Sequence, residues 1–314
     1  MHVLGIDAGG TKTVCLLADG TGEVQAEARG AGANLQSAGE LEVEKVLHEV
    51  MEAALAPRDV RPAAICLGIA GVDRPADAAA VRGIMRRIGF KTPTLVVNDA
   101  VVALWAGADD QPGVVIVAGT GSIAYGRNAA GRAARAGGWG YLLGDEGGGF
   151  WIGRAALSAV VRQFDGRGPA TLLTDLVLEH MRLASPRELI HEIYYRDIQR
   201  LAISGLASLV QRATDAGDAV ASQVLVRAGG ELAAAAASVI GRLDMRGDTF
   251  PVILAGGIFH GVPWLRGDLE SRLSEVAPRS SVQLLGVEPA IGAVRLAIAT
   301  TKGPVVIPPY VEAG

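Results

Sequence analysis

Short apolar runs open the chain and predict a β-hairpin. The runs at 2–7 and 11–18 are separated only by Ala8-Gly9-Gly10, the spacing of a tight turn between antiparallel strands. The elements predicted after this hairpin are strands at 23–29, 63–70 and 94–97 and helices at 38–55, 76–88 and 100–106. Three hairpin strands followed by alternating strands and helices indicate a mixed sheet with helices on its faces.

The same order begins again near residue 113. A continuous Val/Ile run at 113–118 predicts a strand, Gly119-Thr120-Gly121 a turn and 123–127 a second strand. From 150 to 243 the pattern is helical, and Ser185 and Glu188 have the spacing of a capping box. A turn is predicted at 128–131, before this helical region. After it, the predicted elements are strands at 251–255 and 282–285 and helices at 264–276 and 289–299. The restart places a domain boundary near Gln111-Pro112.

Composition indicates a globular protein of two domains. Half of the 314 residues are hydrophobic and 20% are charged, which is enough apolar material for a large core. Lys and Arg number 29 against 33 Asp and Glu, and this balance argues against a nucleic-acid partner. Glycine accounts for 42 of the 314 residues, which is about twice the usual share of ~7%. We therefore expect many tight turns and close backbone approaches.

Nothing in the sequence predicts a membrane span or a metal cluster. The longest weakly polar stretches, such as 232–240, are shorter than the ~20 residues that a span requires, and the start has no signal-peptide pattern. Cys15 and Cys66 lie in strand-like runs, where we expect buried free thiols and a cytoplasmic location. The five histidines have no metal-ligand spacing.

Three glycine turns are suited to a nucleotide. Gly9 and Gly10 let backbone N–H groups approach an anion, and Thr11 and Thr13 offer hydroxyls to phosphate oxygens, although a plain hairpin turn is the alternative. A strand follows Gly119-Thr120-Gly121-Ser122, so this turn fits a second phosphate hairpin better than a dinucleotide motif. Gly256-Gly257 would let backbone lie beneath a base or ribose, or would cap a helix.

Two further features could carry chemistry. Asp99 ends a strand, where active sites of α/β proteins gather, although aspartate also caps helices. Asp145 and Glu146 lie in a glycine-rich turn before a helix, where acids also complement the helix dipole. The preceding Gly137-Gly138-Trp139-Gly140 places flexible backbone beside an aromatic ring, which suits a sugar.

Together these segments resemble the sugar kinase, actin and heat-shock ATPase superfamily, and within it the BadF/BadG/BcrA/BcrD ATPase family with its N-acetylglucosamine kinases. Segments 5–13, 115–126, 252–259 and 288–296 resemble the two phosphate motifs, the adenosine motif and the connecting helix. The resemblance implies an α/β protein of two ribonuclease H-like lobes (the actin-like ATPase fold), each a mixed five-stranded sheet flanked by helices. The first lobe would comprise 1–112 plus about 288–305, and the second 113–287 with a helical insertion.

The resemblance also implies the site and its ligands. Asp99 would take the proton of the attacking hydroxyl, and Asp7 would orient Mg²⁺ through water. The residues implied to bind ATP are Gly9, Gly10, Thr11, Lys12, Thr13, Gly119, Thr120, Gly121, Gly256 and Gly257. Those implied to bind the sugar are Asn34, Asp99, Ser122, Gly137, Gly138, Trp139 and Asp145. ATP, an amino sugar and a second copy of the chain are the implied partners.

The expected reaction is the phosphorylation of N-acetylglucosamine to its 6-phosphate, with glucosamine or N-acetylmuramic acid as alternative substrates. A more remote alternative is an ATPase that activates another enzyme. The iron–sulfur activators of the family hold their cluster with cysteines, but Cys15 and Cys66 are both in predicted strands. The clustered cysteines of the repressor/ORF/kinase group are missing, and we see no room for an added DNA-binding or peptide-binding domain.

Overall fold

The structure is a computed structural model that describes residues 1–58, 60–195, 200–305, 307 and 309. Its first sheet has the order β3-β2-β1-β4-β5. β1–β3 are antiparallel, and β4 and β5 run parallel to β1. The bounds of these strands are β1 His2–Ala8, β2 Lys12–Asp19, β3 Val24–Ala31, β4 Ala64–Ile69 and β5 Thr94–Asn98.

The second sheet repeats this topology. Its order is β10-β9-β6-β7-β8, with β6–β8 antiparallel and β9 and β10 parallel to β6. The bounds are β6 Gly113–Ala118, β7 Ser122–Arg127, β8 Ala133–Gly137, β9 Pro251–Ala255 and β10 Ser281–Leu284. The two mixed five-stranded sheets confirm the predicted fold class. Sequence patterning missed only β8, because its Ala-Ala-Arg-Ala-Gly segment has no β-branched residue and no clear alternation.

Helices cover the outer faces of both sheets and the space between them. Those of the first half are α1 Leu35–Ala38, α2 Glu40–Leu55, α3 Pro75–Arg87 and α4 Asp99–Ala108. The helical insertion comprises α5 Gly149–Phe164, α6 Leu173–Met181, α7 Leu189–Tyr195, α8 Arg200–Gly205, α9 Ala207–Asp215 and α10 Ala219–Arg242. The last three are α11 Ile258–Gly261, α12 Trp264–Val276 and α13 Ala290–Lys302. Ser185 caps a short 3-10 turn, Pro186–Glu188, that leads into α7.

α4 and α13 lie in a core that joins the two sheets. This core contains Val3 and Cys66 from the first sheet and Val115 and Ile253 from the second. α13 packs against β1, β4 and α4. A Cβ at Gly292 would lie 1.9 Å from the carbonyl oxygen of Val102, so α13 can approach α4 this closely only with glycine. α4 therefore packs against α13 and also against β6 and β9 of the second sheet.

α10 is the one helix, among the described residues, that is long and apolar enough to cross a membrane by length and composition. Its most apolar window has a mean hydropathy of 1.4, and half of that window is buried inside the protein. α10 packs on α9, α12 and β7, so its apolar face belongs to the core of the second half. The sequence analysis recognised only the stretch at 232–240 as weakly polar, because polar residues interrupt the apolar ones elsewhere in α10. Cys15 and Cys66 are buried and free, as predicted.

Candidate active site

The two predicted phosphate turns meet in space. The turn between β1 and β2 and the turn between β6 and β7 bring Thr11 Oγ1 and Thr120 Oγ1 to 3.4 Å. Gly9 N donates to Lys12 O at 3.0 Å in the first turn, and Gly119 N donates to Gly121 O at 2.9 Å in the second. One turn from each sheet thus faces the other across a narrow gap.

Two neighbours of Thr11 make contacts within the protein. Thr13 is fully buried and its hydroxyl donates to the carbonyl oxygen of Ala31 at 2.7 Å, and its expected contact with phosphate stays a prediction. Lys12 Nζ donates to both carboxylate oxygens of Glu288, at 2.8 and 3.1 Å, and Arg29 joins the same carboxylate at 3.0 Å. Sequence reasoning did not single out Glu288, whose one signal was its place before Pro289 at the start of a helix.

Two carboxylates of the first half, Asp7 and Asp99, have raised pKa values. Burial raises the pKa of Asp7 to about 8, and Asp99 and Glu288 add repulsion while Lys12 opposes it. Burial also raises the pKa of Asp99 to about 6, with backbone N–H groups opposing the shift and the charge of Asp145 adding to it. The negative charge of Asp99 thus contributes to the raised pKa of Asp7, and that of Asp145 to the raised pKa of Asp99.

Asn98, rather than Asp99, is the N-cap of α4. Asn98 Oδ1 accepts from Ala100 N at 2.9 Å, and Asn98 Nδ2 donates to the carbonyl oxygen of Val72 at 3.1 Å. Asp99 is the first residue of the helix, and its Oδ1 also accepts from Ala100 N at 3.0 Å. Because the neighbouring asparagine performs the capping, the Asp99 carboxylate is not required for it.

The glycine-rich segment after β8 folds back onto the second phosphate turn. Gly137 and Gly138 have φ of 75° and 71°, which favour glycine, and Trp139 is 63% exposed. Asp145 Oδ1 accepts from Gly140 N at 3.1 Å, and burial raises its pKa. We call residues 137–148 the sugar loop, since it contains four of the seven residues that were expected to bind a sugar.

Ser122 ties the sugar loop to β7. Its hydroxyl donates to the carbonyl oxygen of Glu146 at 2.7 Å, and its own carbonyl accepts from Gly138 N at 2.9 Å. Its backbone N–H also bonds the Asp145 carboxylate. The hydroxyl of Ser122 therefore supports the loop, and its expected contact with a sugar stays a prediction.

Asn34 and the adenosine-type turn complete the set. Asn34 Oδ1 accepts from Gln36 N at 3.0 Å. A Cβ at Gly256, where φ is 106°, would lie 2.3 Å from the carbonyl oxygen of Ala118, so this turn packs directly on the end of β6. Gly257 has nothing within 4 Å of its Cβ position and also serves as N-cap of α11. The third turn is thus adjacent to the second.

The donor set can take Mg²⁺ only together with phosphate. Within the described ranges, no group of three or more His, Cys, Asp or Glu side chains could hold a metal ion. Mg²⁺ keeps several waters and is commonly bound by one or two carboxylates with substrate phosphates. Asp7 fits this role, because its buried carboxylate is destabilised as an anion and an incoming cation would relieve that.

Two sheets of the same topology with facing glycine turns define the two-lobed nucleotide-binding fold of the actin-like ATPases and sugar kinases. The chain belongs to the BadF/BadG/BcrA/BcrD ATPase family, whose model matches residues 4–297. This confirms the resemblance, and the family implies the use of ATP.

Known proteins similar to this chain include sugar kinases. It is 34% identical to the N-acetylmuramic acid/N-acetylglucosamine kinase of Clostridium acetobutylicum, over 94% of this chain and 98% of that one. It is 32% identical to the N-acetyl-D-glucosamine kinase of Dictyostelium discoideum, over 95% and 98%. The crystal structure of a candidate N-acetylglucosamine kinase from Chromobacterium violaceum superposes with a TM-score of 0.72 at 26% identity, covering 95% of this chain and 98% of that one.

Proposed function

We propose that this protein is an ATP-dependent amino-sugar kinase that converts N-acetylglucosamine to its 6-phosphate. The observation that carries the proposal is the 3.4 Å approach of Thr11 Oγ1 to Thr120 Oγ1, which brings one glycine turn from each sheet together. N-acetylmuramic acid is the second candidate substrate, because one relative is named for both sugars. Glucosamine kinases are also related, with 27% identity to one from Vibrio cholerae over 57% of this chain.

Asp99 acts as the general base. Its carboxylate accepts the proton of the sugar hydroxyl, whose oxygen bonds to the γ-phosphorus while the bond from that phosphorus to the ADP oxygen breaks. A pKa of about 6 leaves Asp99 mostly ionised at pH 7 yet more basic than an exposed aspartate. Such a base contributes ~100- to 10,000-fold to the rate.

The two facing turns bind the triphosphate. Backbone N–H groups around Gly9-Gly10 and Gly119-Thr120-Gly121 and the hydroxyls of Thr11 and Thr120 supply the donors, with Gly256-Gly257 beneath the nucleoside. Mg²⁺, oriented through water by Asp7, would neutralise charge on the phosphates. Phosphoryl transfer needs mainly such positioning and neutralisation.

The sugar would lie between Asn34 of the first half and the sugar loop of the second. Asp145 and the backbone of Gly137-Gly138-Trp139 supply hydrogen bonds and an exposed aromatic surface. Lobe closure would exclude water that otherwise hydrolyses ATP. A homodimer, which the family resemblance implies, and a cytoplasmic location, which the free cysteines favour, stay predictions.

The test is ADP release by the purified protein with ATP and Mg²⁺ over a panel of N-acetylglucosamine, N-acetylmuramic acid, glucosamine and glucose. We expect sugar-dependent release and a 6-phosphate product identified by phosphorus NMR. ATP turnover without sugar preference would contradict the proposal and favour the ATPase-activator alternative. Preference for N-acetylmuramic acid would keep the reaction and change the substrate.

A further inference from the structure

The segment after β4, residues 71–73, has two contacts within the first half. One is with Asn34, an expected sugar ligand, and the other is with the start of α4. A Cβ at Gly71, where φ is 81°, would lie 3.0 Å from Asn34 Oδ1, so the backbone there touches the Asn34 amide. The next carbonyl, of Val72, accepts from Asn98 Nδ2 at 3.1 Å, one residue before Asp99. This short segment therefore supports Asn34 and the N-terminus of α4 together.

The third residue of the segment reaches across to the other sheet. Asp73 forms an ion pair with Arg135 of β8, whose side chain is 12% exposed against 19% for Asp73. Among the ion pairs of the described residues, no other has both side chains less than one-fifth exposed. A buried pair fixes geometry more reliably than it adds stability, and removing one partner leaves an uncompensated charge.

Arg135 also holds the first residues of the sugar loop. Its guanidinium carbon is 4.6 Å from the centre of the Trp139 ring, within cation–π range, and its Nη1 donates to the carbonyl oxygen of Gly137 at 2.6 Å. Trp139 is 63% exposed and follows two glycines with positive φ, so this backbone is intrinsically free to move. The planar, always charged fork of arginine can make all these contacts at once.

We propose that Asp73 and Arg135 are positioning residues for the amino sugar, because their ion pair fixes the sugar loop of the second half against the Asn34 side of the first. The proposal rests on the proposed function. The pair does not touch the reacting atoms. The pair sets the distance between Asn34 and the sugar loop. It does not determine the positions of the two phosphate turns.

The test is steady-state kinetics of Arg135→Lys, Asp73→Asn and the double variant. We expect the KM for the sugar to rise about tenfold or more, as misplaced ligands cause, with kcat changed less than ~3-fold and the KM for ATP unchanged. The double variant should be no worse than Arg135→Lys, since that substitution already disrupts the ion pair that Asp73→Asn removes. A sugar KM within about twofold of wild type, or equal rises in both KM values, overturns the proposal.

Arg127→Lys is the matched control. Arg127 lies at the other end of β7 from Ser122, with its guanidinium 5.1 Å from the centre of the Trp105 ring and an ion pair to Asp110 at 2.8 Å. This variant removes the same kind of contact away from the sugar loop, and the sugar KM should stay at the wild-type value.

Amide hydrogen exchange separates failure of this proposal from failure of the proposed function. If wild type phosphorylates no amino sugar, the function is wrong, and the ion pair is then judged by exchange alone. Arg135→Lys should speed exchange across residues 137–148, whereas Arg127→Lys should not. Equal exchange in the two variants overturns the positioning role.

Discussion

Gly121 lies directly against Asp145: a Cβ at Gly121 would be 2.2 Å from Asp145 Oδ2. The second phosphate turn and the sugar loop are therefore in van der Waals contact, and no side chain fits between them. Asp145 also has a φ of 60°, which is unusual for a residue other than glycine. Its backbone therefore has little freedom to move the carboxylate away from Gly121.

Gly121→Ala should consequently displace the Asp145 carboxylate. We expect kcat/KM for the sugar to fall about tenfold or more and stability to fall by about 1–3 kcal/mol, as overpacking usually costs. Gly119→Ala has nothing within 4 Å of the new methyl and should keep the wild-type unfolding temperature. Thermal unfolding and sugar titrations of both variants check this, and equal stability of the two would refute the contact argument.

Asp99→Asn and Asn98→Ala should separate catalysis from helix capping. Asp99→Asn removes the base, so we expect turnover to fall by at least ~100-fold while calorimetry still detects nucleotide binding. Asn98→Ala removes the N-cap and its bond to Val72, which should cost about 1 kcal/mol of stability. Unchanged turnover in Asp99→Asn would remove Asp99 from its role.

The rate should follow the ionisation of Asp99. With a pKa of about 6, the base is mostly protonated at pH 5, so kcat/KM for the sugar should rise through pH 6 and level off above it. The same raised pKa means that the folded protein prefers the protonated group. The contribution of Asp99 to stability is thus greatest below pH ~4 and declines as pH rises toward 6. A flat pH–rate profile between 5 and 7 would contradict this assignment.

Asp7→Asn should change stability and activity in opposite directions. Asp7 has a pKa of about 8 in the folded protein against 3.8 for an ordinary aspartate, so below pH ~4 it is protonated in both the folded and the unfolded state, and the variant should unfold there at nearly the wild-type temperature without metal or nucleotide. At pH 9 the wild type carries a buried charge that the variant lacks, and the variant should unfold at least ~2 °C higher. Turnover of the variant should still fall and need more Mg²⁺.

The sequence predicted the parts of the site that local patterns encode. Glycine turns between apolar runs specify hairpins, and their repetition after residue 113 specifies a second sheet, so both glycine turns were predicted at the right positions. The burial of Thr13 could not be predicted, because β2 is buried at successive positions and its sequence does not alternate between apolar and polar residues.

Long-range pairs had no local signal. Arg135 lies 62 positions after Asp73, and Glu288 lies 276 positions after Lys12, so neither pair leaves a pattern in a window of the sequence. The Asn98 cap shows the same limit, since adjacent Asn and Asp both favour helix starts and only the structure distinguishes their roles.

The close contact of Gly292 with Val102 has a consequence for synthesis of the protein. The helix that begins with Asp99, the proposed base, packs against α13 as well as against strands of both sheets. A nascent polypeptide that has both phosphate turns but not residues 290–302 cannot yet seat Asp99 firmly. We therefore expect α4 to reach its final position only after residues 290–302 have been synthesised, and a chain stopped near residue 289 should retain its turns and lack turnover.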